Sequence, residues 1–191
     1  MRERLAEMLR SLAGLALICA GTGSAGDVNA RRRLISQQVA DQQGFIGSLK
    51  FEPGTVNSAD VERLTGDAQS VFLVLLAIAR DESGLAALPG DVREATVRLG
   101  TDVATALAAM SERVKGREGT APIDVNGAMG DVERSISAHG ELDEGWQPRL
   151  ALYRELVVAV KRLAQSEPTQ SAGLSNTPSS VRVRPCSSGR G

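Results

Sequence analysis

Few residues of this chain are of types and spacings that do chemistry, and the first of them lie in Gly21-Thr22-Gly23-Ser24-Ala25-Gly26, a match to GxGxxG. In a dinucleotide-binding unit such glycines let the backbone approach a pyrophosphate at a helix N-terminus. Leu15 to Ala20 would have to be the preceding strand, and Glu52 the acid that holds the ribose. The rest of the chain refuses that fold: helical patterns follow with no further strands, and Asp27 places a negative charge where the phosphate should sit. The expected reading is a flexible link between two helices. Thr22-Gly23-Ser24-Ala25-Gly26 also falls one residue short of a GxSxG nucleophile elbow, which needs a base. The only histidine, His139, sits in HGELDEG, a loop of glycines and acids with no apolar frame to orient an imidazole. His139-Gly140-Glu141 is half of a zinc deaminase signature, and the PCxxC half is absent. Cys19 and Cys186 lie at opposite ends, with no CxxC or metal-ligand spacing and no expectation of a disulfide. The residues therefore predict no catalytic group, no cofactor and no metal.

The elements that would have to position such residues are helices. Aromatic side chains make up only 3% of the 191 residues while Ala and Leu abound, which suits helices packed through small aliphatics better than a sheet. Twenty-two basic residues nearly balance 23 acidic ones, so no general field attracts nucleic acid. The longest apolar run, Val71 to Ala79, is about half of what a membrane span requires. Arg2, Arg4 and Arg10 ahead of Leu12 to Ala20 allow two readings of the N-terminus. One is a signal peptide ending near Ser24-Ala25; the other, favoured by Glu3, Glu7, Gly14 and a one-sided stripe of Leu5, Met8, Leu9, Leu12, Leu15 and Cys19, is an amphipathic helix.

Six helical segments follow from periodicity and punctuation, giving an all-α bundle of five or six mostly antiparallel helices over residues 1–165. They run from Arg2 to about Ala20, from Asp27 as N-cap to before Pro53, and from Ser58 through Ala79. Three more cover Val92 to Val114, the region of Ala128 to Ile136, and Gln147 to Gln165. Leu34, Ile35, Val39, Phe45, Ile46 and Leu49 are the expected buried stripe of the second helix. The third, most apolar of all, is expected at the centre, and residues 1–26 as a helix and linker that can be loosely attached. Residues 166–191, rich in Ser, Pro, Gly and Arg, read as a disordered tail.

One stretch points beyond a fold. Arg31-Arg32-Arg33-Leu34 opens a helix that stops at Leu49-Lys50-Phe51-Glu52-Pro53, after a helix such as Leu5 to Ala20 and before an apolar one such as Leu64 to Ala79. This order, closed by a helix like Tyr153 to Leu163, resembles the soluble helical region of the fusaric acid resistance family of bacterial inner-membrane proteins, which includes aromatic acid exporters. The resemblance covers residues 1–165 and marks Arg31, Arg32, Arg33, Phe51, Glu52 and Pro53 as family-like structural positions. It implies a non-catalytic domain or fragment of an efflux transporter at the cytoplasmic face of the inner membrane, partnered by the membrane portion or by self-association. Family members carry membrane helices around this region, and the chain has no segment able to cross a bilayer. The alternative expectation is an independent helical interaction module, exported if residues 1–25 are a signal peptide, with partner contacts on an exposed aliphatic stripe.

Overall fold

Apolar residues spaced three and four apart put one stripe of each segment inward, and the stripes decide how the helices meet. The structure, a computed structural model, describes residues 2–22, 25–49, 58–80, 88–116, 124–139 and 146–166. Among these it forms six α-helices: α1 (Arg2–Leu17), α2 (Ala25–Leu49), α3 (Ser58–Ala79), α4 (Gly90–Val114), α5 (Val125–Ala138) and α6 (Gln147–Gln165). No strand occurs among the described residues. The all-α bundle is as expected. The tail from residue 167 lies outside the described residues.

Helix α4 runs antiparallel to both α1 and α5. Ser111 of α4 donates its hydroxyl to the Ala6 carbonyl of α1 at 2.7 Å, while Gly100, three turns earlier on α4, faces Ala16 and Ala20. On the other side of α4, Arg98 pairs with Asp131 of α5 at 3.9 Å and Asp91 with His139 at 2.8 Å. The end of α6 meets the middle of α3, where the Ser166 hydroxyl bonds to the Asp67 carboxylate. Thus α1 packs against α2, α3 and α4, and α3 against α1, α2 and α6.

The centre is not where hydropathy places it. Ala6, Met8, Leu9, Leu12 and Leu15 of α1 are fully buried, whereas α3 keeps Leu73 on the surface. The expectation of α3 as the most buried helix is corrected, and loose attachment does not describe α1. Both helices touch three others and both keep a side in water, Glu3, Glu7, Arg10 and Leu17 being exposed on α1, but a larger share of α1 is buried. In α2, Ile35 and Val39 are buried but Leu34 is 42% exposed, a second correction. Ile35 and Val39 are four residues apart and share a face; Leu34, one residue before Ile35, is turned about 100° away. The side chains of Phe45, Ile46 and Leu49 lie outside the described ones.

Helix ends follow local chemistry. Asp124 precedes α5, and its Oδ1 accepts from the Asn126 and Gly127 amides at 3.1 Å each, a side-chain N-cap. Asp124→Ala is expected to lower stability by about 1 kcal/mol in urea titration, and Asp124→Ser to restore most of it. The fourth helix ends as expected at Gly116, whose φ of 79° lets its amide reach the Arg113 carbonyl at 2.8 Å. The second starts two residues before the expected N-cap, so Asp27 sits inside its first turn, where its negative charge complements the positive end of the helix dipole.

Candidate functional site

The GxGxxG segment turns out to be a helix-to-helix corner. After Leu17 the first helix widens into a π-turn, Ile18–Thr22, and Gly21 takes φ 94°, a left-handed conformation that redirects the chain. Leu15 and Ala16, needed as strand for dinucleotide binding, belong to α1, and Ala25 and Gly26 already belong to α2. Gly23 and Ser24 lie outside the described residues. A Cβ added to Gly100 would lie 2.5 Å from the Ala20 Cβ and 3.5 Å from the Ala16 carbonyl oxygen, so α4 meets this corner backbone to backbone.

Cys19 occupies the widened turn, half-buried, with its thiol donating to the Leu75 carbonyl of α3 at 3.4 Å. Burial pushes the thiol up to about 12, the charge of the nearby Arg149 opposing only in part. A thiol this hard to ionise is a poor nucleophile at neutral pH. Arg149, 3% exposed, lies at the start of α6 with its guanidinium 5.2 Å from the Trp146 ring centre, a cation–π arrangement.

The thiol gives a pH dependence of known sign. Its ordinary value is 9.0, so above that pH the unfolded chain loses the proton that the folded chain keeps. Stability is therefore expected to fall by about 1.4 kcal/mol per pH unit between the two values. In a Cys186→Ser background, iodoacetamide at pH 8 should label Cys19 slowly in buffer and rapidly in urea. Equal rates in the two solvents would contradict a buried neutral thiol.

His139 caps α5, and its Nε2 lies 2.8 Å from both Asp91 carboxylate oxygens. That hydrogen bond holds the Asp91 carboxyl below its usual range. Both side chains are exposed, as expected for the histidine, and the pair joins the C-terminus of α5 to the N-terminus of α4. This is a surface clasp with complementary helix dipoles. Among the described residues no group of three or more His, Cys, Asp or Glu could hold a metal ion.

Of the family-like positions, Arg31 lays its guanidinium over Gly14 of α1, 3.0 Å from where a Cβ would stand. Arg32 and Arg33 are exposed, and Phe51, Glu52 and Pro53 lie outside the described residues.

The feature missed in the apolar run is its outer face. Leu73 is 57% exposed, and Val74, Leu76 and Ala77 are half-buried. Nine apolar residues in a row carry no periodicity to say which side faces out. A usable signal lay upstream, since Gly66 and Ser70 occupy the same face as Leu73 and Ala77 at spacings of three and four.

The class defined by this arrangement is an all-α bundle of six helices with an apolar patch on one outer helix. Compared with known proteins, the chain matches no family model, no curated protein and no solved structure. No described helix is long and apolar enough to cross a membrane.

Proposed function

We propose that this chain is a non-catalytic helical interaction domain whose contact surface is the outer face of α3. The observation that carries the reading is Leu73, an aliphatic side chain more than half exposed amid half-buried Val74, Leu76 and Ala77. Holding such a group in water costs about what burying it would return, on the order of 1.5–3 kcal/mol, which a partner recovers. The groups of chemical type nearest to a site have structural roles: the Cys19 thiol is kept neutral, and His139 clasps Asp91. The test is photocrosslinking in living cells, with the reactive amino acid placed either at exposed Ser70 on α3 or at exposed Thr105 on α4. The reading expects a discrete protein adduct from position 70 and none from position 105. No adduct, or the same pattern from both, would overturn it.

A finer form of the proposal places the domain in a fusaric acid resistance-type exporter, beneath the membrane portion and in support of its export of aromatic acids. The order of helices and Arg31-Arg32-Arg33 at α2 favour it. Translating the flanking coding DNA in all frames tests it: runs of about 20 apolar residues are expected. Their absence would leave the interaction domain standing without the exporter.

A further inference from the structure

We draw no further inference here: the strongest candidate, the outer face of α3 around the exposed Leu73, belongs to the surface already described, and nothing in the structure shows what covers it.

Discussion

A chain shortened to begin at Ala25 is expected to lose cooperative folding. Such a truncation removes α1 and its corner, and with them Met8, Leu9, Leu12 and Leu15, each with none of its surface exposed. Fully burying one such side chain is worth about 1.5–3 kcal/mol, so these four alone match the whole net stability of an ordinary domain, about 5–15 kcal/mol. Their loss also uncovers the face of α4 where Ser111 bonds to Ala6 and where Arg10 pairs with Glu112 at 3.2 Å. Thermal unfolding followed by circular dichroism should show a broad, non-cooperative change for the truncated chain and a sharp transition for the parent. A sharp transition within a few degrees of the parent would show α1 to be dispensable. The result bears on the reading of residues 1–25 as a signal peptide, because cleavage after Ala25 would release a chain without these side chains.

Gly100→Val should be the most damaging single substitution at a small residue, lowering stability by about 3 kcal/mol in urea titration. A Cβ at this position falls 2.5 Å from the Ala20 Cβ, closer than real carbon atoms approach, and the Ala20 Cα and Ala16 carbonyl oxygen stand 3.4 and 3.5 Å away. The obstacles are main chain or attached directly to it, so no side chain can swing aside. Gly100→Ala meets the same clash but gains helix propensity, about 1 kcal/mol, and should lose only about 1–2 kcal/mol net. Removing the opposing methyl identifies the cause: Ala20→Gly with Gly100→Ala should be more stable than the sum of the single changes by about 1 kcal/mol. Strict additivity would mean that the crossing already has room to open. Gly14 is the contrasting case, since a Cβ there meets the mobile end of Arg31, which can move.

Much of the fold is legible because amphipathic spacing is a local property. In α4, Val92, Ala95, Leu99, Val103, Leu107, Met110 and Val114 are all buried, as are Leu150, Tyr153, Leu156, Val157, Val160 and Leu163 in α6. In both helices the buried residues recur at spacings of three and four, the 3.6-residue period of one face. Leu34 misled because it adjoins Ile35: in α2 the contact stripe runs through Ile35 and Val39, and Leu34, about 100° away, falls outside it.

By itself, the chain's order of residues determined six helices, their inward stripes and the emptiness of its glycine motif, all consequences of spacing within about twenty residues. Only the tertiary structure decided which helix is central and which face stays bare. The first helix finds its closest partner in α4, across two intervening helices, through a gap at Gly100 that has meaning only opposite Ala20. The outward face of α3 likewise exists because α1, α2 and α6 take its other three sides. Burial is a relation between segments distant in the chain, and no local period records it.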